Sequence, residues 1–120
     1  MAQVVIRLDF PDRRRVGPGK VALLEAIGRT GSIAAAGRSL GMSYRRAWLL
    51  VEQLNAMFAE PVVVTHLGGA GGGGAALTGF GAKLARTYRA IEAGAQAAAR
   101  AELERLEAAL AEPLRATGEP

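Results

Sequence analysis

Apolar and polar positions alternate over residues 3–10, with Val4, Ile6, Leu8 and Phe10 on one side and Val5, Arg7 and Asp9 on the other. This period of two predicts a strand. Residues 11–19, with two prolines, two glycines and three consecutive arginines, predict a connection. The period then lengthens: Val21, Leu24, Ile27 and Gly28 mark one face of a helix over about residues 20–29. Gly31 stops that helix and Ser32 caps the next, expected over residues 33–40 and ended by Gly41. Ser43 is a second N-cap, and residues 44–57 continue without a breaker. Beyond Pro61, residues 62–67 predict a strand, and residues 75–77 can pair back on it across a glycine-rich turn.

Thr78 caps a last helix expected from about residue 79 to near 110. Its apolar seam is Leu84, Tyr88, Ile91, Ala95, Ala99, Leu103, Leu106 and Leu110, a heptad spacing with one stutter. A helix of about 30 residues spans about 45 Å, more than so small a domain covers. A second copy of the chain is the expected partner of that stripe, in preference to an isolated alanine-stabilised helix.

The segment Ser32-Ile-Ala-Ala-Ala-Gly-Arg-Ser-Leu-Gly-Met-Ser-Tyr-Arg-Arg-Ala-Trp48 places two short helices around a tight turn at Gly41. Gly37 provides minimal bulk where the two helices approach, and Leu40, Met42, Ala47 and Leu50 or Val51 supply the small core between them. This is helix-turn-helix spacing; an ordinary helical hairpin with exposed arginines has it too. The second helix opens with Ser43, Tyr44, Arg45 and Arg46. Arginine suits guanine edges or paired phosphates, and serine and tyrosine hydroxyls suit phosphates. Arg45 is the expected base reader and Arg46 a phosphate or local contact. Ser43 and Tyr44 are expected on phosphates, and Ser32 at the preceding helix start. Trp48 reads as a core anchor in preference to a DNA contact.

The stretch from His66 to Thr78 holds six glycines, and Gly69, Gly71 and Gly74 satisfy G-x-G-x-x-G. A dinucleotide site would need those glycines between a strand and a helix, followed by a second parallel strand. Here Ala75-Ala-Leu77 intervenes and no such strand follows, while Phe80 stands where a Walker loop needs lysine. Glycine instead serves positive φ angles and close backbone approach in a hairpin. A hairpin after a helix-turn-helix is a wing, and Gly71, Gly72, Gly73 and Gly74 are expected to offer backbone N–H groups to DNA phosphates.

Composition narrows the classes. A chain of 120 residues without cysteine and with one histidine suits a single domain and leaves little for disulfides or metal. No metal, catalytic residue or cofactor is expected, since nucleophile candidates lack a base and no spaced carboxylate pair occurs. His66 has no partners that would make it a sensor. No apolar run approaches the ~18 residues of a membrane span, and no basic-then-apolar leader follows Met1. A soluble, cytoplasmic protein is expected, with no membrane partner. The net charge is +4, but residues 100–120 carry three arginines and five glutamates, a local −2, leaving +6 for the rest. Arg29, Arg38, Arg45 and Arg46 lie between Gly28 and Val51 without one acidic residue. A basic body with an acidic helical tail fits a polyanion-binding unit joined to an assembly element. Arg13-Arg14-Arg15 read as solvating a loop, with DNA contact as the other option.

Several motifs together resemble the N-terminal domain of the molybdate-responsive ModE-type transcription regulators. They are Gly31-Ser-Ile33, Gly41-Met-Ser-Tyr44, Ala47-Trp48, the glycines from Gly68 through Gly74 before Ala75, and Leu77-Thr78-x-x-Gly81. More distantly the chain is similar to the LysR-type winged helix. The resemblance runs from about residue 16 to 91. It implies a dimeric winged-helix protein on a palindromic operator, with the long helix contributing to the dimer. Two departures stand out: the family's Ser-Ala-Arg-Asn oxyanion motif is absent, so molybdate sensing is not carried over, and Leu49 and Leu50 occupy positions where more polar residues are expected.

The expectation is thus a mainly α protein with a small β-hairpin wing. A winged helix-turn-helix covers residues 1–78, with the wing at about 62–78, a long dimerisation helix follows over 79–112, and residues 113–120 fray. It is expected to regulate transcription as a homodimer on double-stranded DNA, through Ser32, Ser43, Tyr44, Arg45, Arg46 and the wing glycines. Leu84, Tyr88, Ile91, Ala95, Leu103, Leu106 and Leu110 are expected in the dimer seam, where a small-molecule effector site stays open. The alternatives are a non-specific architectural DNA-binding protein and an interaction module that pairs with a full-length relative.

Overall fold

In the computed structural model, residues 1–66 and 74–113 are described. Proline and glycine set the limits of the first helix, α1 (Pro18–Thr30). Proline suits its first turn, where an N–H would go unpaired anyway. Gly31 closes it with a φ of 69°, returning its N–H to the Ile27 carbonyl at 2.8 Å. α2 (Ile33–Ser39) and α3 (Tyr44–Met57) start as their serines dictate: Ser32 Oγ accepts from the Ala35 N–H at 3.0 Å, and Ser43 Oγ from the Arg46 N–H at 3.1 Å. Between them Gly41 turns the chain at a φ of 71°. Gly37 lets the helices meet, since a Cβ there would stand 3.1 Å from that of Ala47.

Val21, Leu23, Leu24 and Ile27 of α1 are buried with Ile33 and Ala36 of α2 and with Ala47, Leu50, Val51 and Leu54 of α3. The strands β3 (Val63–His66) and β4 (Gly74–Leu77) form an antiparallel hairpin, with Val63 opposite Leu77 and His66 opposite Gly74. Two clamps seat this hairpin. The Asn55 side chain accepts from the Val62 and Val63 N–H groups at 2.7 and 3.0 Å and donates to the Val63 carbonyl at 3.0 Å. On the other strand, the Ala75 N–H donates to the Gly31 carbonyl at 2.9 Å, tying the wing to the turn before α2. The architecture is a mainly α winged helix with a hairpin wing, as the residue pattern predicts.

Thr78 caps α4 (Gly79–Ala98) by accepting from the Gly81 N–H at 2.9 Å, while its hydroxyl donates to the Pro61 carbonyl at 2.7 Å. Gly81 is obligatory here, because a Cβ would collide with the Val62 carbonyl. The helix does not run unbroken to residue 110. It ends at Ala98, and α5 (Arg100–Ala108) follows after Ala99, whose φ and ψ are −93° and 0°. The break falls within the stuttered part of the heptad, and the hydrogen bonds from the Ala99 N–H to Ala95 and from the Leu103 N–H to Ala99 keep the path nearly continuous. Leu84 and Tyr88, expected in the intermolecular seam, are buried in the core of their own chain. The seam residues left open are Ile91, Leu106 and Leu110, which are exposed, and the half-buried Ala95 and Leu103.

The N-terminal strand is shorter than its alternation suggests. Only Leu8–Phe10 (β1) pairs, with Arg14–Val16 (β2), across a tight turn at Pro11–Arg13. The strand β2 lies inside the segment expected to be a plain connection. Before β1, the chain keeps the expected alternation but lies along the long helices. Gln96 bonds the Val4 N–H at 2.7 Å and the Ala2 carbonyl at 3.2 Å, Glu107 accepts from the Ala2 N–H at 3.1 Å, and the Tyr88 hydroxyl donates to the Ile6 carbonyl at 2.8 Å. Side chains of helices thus satisfy backbone groups that a strand neighbour would otherwise take.

Candidate nucleic-acid interface

The helical period divides the surface of α3 into four strips. Ala47, Leu50, Val51 and Leu54 face the core. Diametrically opposite, Arg45, Leu49 and Glu52 face outward, all exposed. Tyr44 and Trp48 lie on one flank, with Arg46 and Gln53 on the other. An outward strip on a helix held by two capped turns and a glycine contact is what a groove-reading helix requires.

On the first flank Tyr44 and Trp48 stack edge to face, with centroids 6.2 Å apart and planes at 77°. Trp48 is only partly buried. One side packs on the core and the other lines a cleft of about 410 Å³, formed with Ser32, Ile33, Tyr44, Thr65, His66 and Gly74. The residue expected as a core anchor therefore has a foot in both environments. The cleft joins the starts of α2 and α3 to the base of the wing, so Ser32, Tyr44 and Gly74 come together at its walls. A Cβ on Gly74 would meet the exposed His66 ring, which would have to turn aside. Gly71, Gly72 and Gly73, the other wing glycines expected on DNA, lie outside the described residues.

Ser43, Arg45, Arg46, Leu49 and Glu52 line the outward surface next to this cleft. Among the described residues no ion pair engages Arg29, Arg38, Arg45 or Arg46. The ion pairs that do form are structural. Arg89 donates to both Glu25 oxygens at 3.0 and 2.9 Å and to Glu92 at 2.9 Å, joining α1 to α4. Its hydrogen bonds hold the Glu25 carboxyl below the usual glutamate range, while its own pKa is raised.

Three residues of the site escaped the pattern of the sequence. Thr65 and His66 reach the cleft from the end of β3, and Glu52 stands in the outward strip one turn beyond Trp48. Only the helical wheel of α3 signals Glu52, as the one carboxylate among its arginines. A carboxylate in a groove-facing position can accept from the cytosine amino group. Among the described residues no group of three or more His, Asp or Glu side chains is placed to hold a metal ion, and no helix is long and apolar enough to cross a membrane.

No family model matches the chain. Individual proteins do. The chain is 56% identical over 80 residues to the molybdenum-pterin-binding protein MopB of Rhodobacter capsulatus, covering 67% of this chain and 30% of that protein. It is 37% identical over 87 residues to the transcriptional regulator ModE of Yersinia pestis, covering 72% of this chain and 33% of that one. The DNA-binding transcriptional dual regulator ModE of Escherichia coli (strain K12) is 32% identical over 87 residues, with the same 72% and 33% coverage. The chain thus matches no more than 33% of the length of any of these three relatives.

Proposed function

Since the chain is of the ModE type over the residues it shares with these relatives, we propose that it is a transcriptional regulator that binds double-stranded DNA through α2 and α3. In this account α3 enters the major groove. Arg45 reads a base edge, Arg46, Ser43 and Tyr44 hold phosphates, and Ser32 and the wing with Gly71, Gly72, Gly73 and Gly74 follow the backbone beyond. The observation that carries it is the exposed Arg45–Arg46 pair, without an ion pair among the described residues, on the first turn of a helix fixed against the core by Ala47, Leu50, Val51 and Leu54.

The chain acts as a homodimer. Ile91, at 44% exposure, and Leu106 and Leu110, at 67% and 74%, present apolar surface along α4, α5 and the residues just past α5, with the half-buried Ala95 and Leu103 between them. A second copy covers it and sets two half-sites about one helical turn or a multiple apart. Molybdenum-pterin binding is in the name of MopB, of which this chain matches 30%. No step is assigned to it.

Footprinting on a duplex selected from a random pool tests the proposal. Two symmetric protected half-sites are expected, and Arg45→Ala should relax base preference at one position per half-site, costing about 1–3 kcal/mol there. A single asymmetric footprint contradicts the dimer. An Arg45→Ala protein that weakens every sequence alike contradicts base reading by that residue.

A further inference from the structure

The flank of α3 away from the wing is also built for an anion. Arg13, Arg14, Arg15 and Lys20 surround a cleft of about 420 Å³ whose floor is Gln53, Ala56 and Met57 of α3. Three elements meet there: the β1–β2 turn, the first turn of α1 and the C-terminal half of α3.

The turn holds an unusual shape. Asp12 and Arg13, consecutive residues with full side chains, have φ of 64° and 61°, a region that L side chains avoid. Arg14 locks it in place. Its guanidinium donates to the Pro11 carbonyl at 2.8 Å and to the Met57 carbonyl at 3.3 Å, and lies 3.5 Å from the Asp12 carboxylate. Arg14 is therefore spent on the fold, and the strain it helps maintain leaves Arg13 at the tip. Among the described residues Arg13 makes no ion pair or side-chain hydrogen bond. Arg15 has only a 3.9 Å approach to Asp9, whose same oxygen takes Arg7 at 2.7 Å. Lys20 donates to the Arg15 carbonyl at 2.8 Å. Desolvation, with Arg15 and Arg46 nearby, lowers the Lys20 pKa. Cations from three elements are thus crowded together, and the carboxylates in reach serve Arg7 and Arg14 first. A merely solvated arginine run needs neither the strained turn nor this crowding.

Position identifies the partner. Arg46 and Gln53 share one face of α3, about 10 Å apart along its axis, so Arg46 links the basic cleft to the recognition helix. A helix of about 10–12 Å diameter fills a major groove about 12 Å wide, which brings a phosphate strand to each flank. The wing cleft lies on the Tyr44–Trp48 flank. We propose that Arg13, Arg15 and Lys20 form a phosphate clamp on the opposite flank, holding the other strand of the groove. The clamp rests on the DNA-binding role proposed above and extends it to residues outside the helix-turn-helix and wing.

The test compares wild type with an Arg13→Gln/Lys20→Gln double variant by fluorescence anisotropy, on the selected duplex and a scrambled one, across a salt series. The expected result is equal weakening on both duplexes. The salt slope should fall by about 0.9 for each phosphate that the variant no longer neutralises. Arg13→Lys should keep the slope, as should Arg100→Gln on α5, and thermal melts of each variant verify folding. Titration with inorganic phosphate separates the two sources of the anion. Weak phosphate binding no different in the double variant, together with the reduced DNA slope, supports the clamp. An unchanged DNA slope overturns it, and saturable phosphate binding abolished in the variant would then assign the cleft to a free oxyanion. If wild type binds neither duplex at low salt, the DNA-binding role itself fails, a distinct outcome that removes the clamp with it.

Discussion

Replacing Asn55 by alanine probes how the recognition helix and the wing are held as one unit. The amide accepts from two consecutive backbone N–H groups and donates to one carbonyl, at 2.7–3.0 Å. Val62 and Val63, whose N–H groups it serves, are at 0% and 3% exposure. A net hydrogen bond contributes about 1 kcal/mol, and a buried donor left unpaired costs about 1–3 kcal/mol. With Asn55 itself half-buried, water can reach part of the vacated space, so a total loss of about 2–3 kcal/mol is expected. At roughly 4 °C per kcal/mol for a chain of this size, the melting midpoint should fall by about 8–12 °C. Circular dichroism gives the midpoint. Amide hydrogen exchange gives the cause: the Val62 and Val63 amides should lose protection while those of α1 keep theirs at temperatures well below the midpoint. DNA affinity measured there should also fall, because β3 loses its tie to α3. A midpoint drop under about 2 °C, or unchanged exchange at Val62 and Val63, would refute the clamp.

Other perturbations address the fold's charge and assembly. Arg89 holds the Glu25 carboxyl low, so the bridge contributes stability above the ordinary glutamate range and loses it as pH falls through the depressed folded value. Melting midpoints of wild type should therefore drop more between pH 7 and pH 3 than those of Glu25→Gln, and parallel curves would contradict the assignment. Leu106→Glu places a charge in the exposed α5 stripe. Losing about 1.5–3 kcal/mol of burial on each side of a two-fold seam should raise the dimer dissociation constant at least ~100-fold by sedimentation, with the monomer's helical signal intact.

The parts of the fold that local chemistry dictates are legible in the residues. Ser32, Ser43 and Thr78 cap the helices they precede because each hydroxyl finds an N–H three residues on, and Gly31 and Gly41 turn where positive φ is needed. Long-range partners are not legible. The alternation of Val4, Ile6 and Leu8 is real, but the neighbour satisfying residues 2–6 is a pair of helices about ninety residues away in sequence. A three-residue strand with two arginines, Arg14–Val16, carries too little pattern to distinguish it from a loop. The heptad cannot say which of its residues face their own core, and so it groups Leu84 and Tyr88 with Leu106. For the site, Arg45 and Arg46 stand out from their place after Ser43. Glu52, Thr65, His66 and the clamp around Lys20 require the three-dimensional arrangement of α3 between its two flanks.

Sequence reading by this protein is measured by anisotropy of the wild-type protein on a pool-selected palindromic duplex and its scrambled counterpart at several salt concentrations. At least ~10³-fold tighter binding to the selected duplex is expected, with affinity for both falling steeply with salt. Equal affinities at every salt concentration would contradict base reading, and no binding to either at low salt would contradict DNA binding altogether.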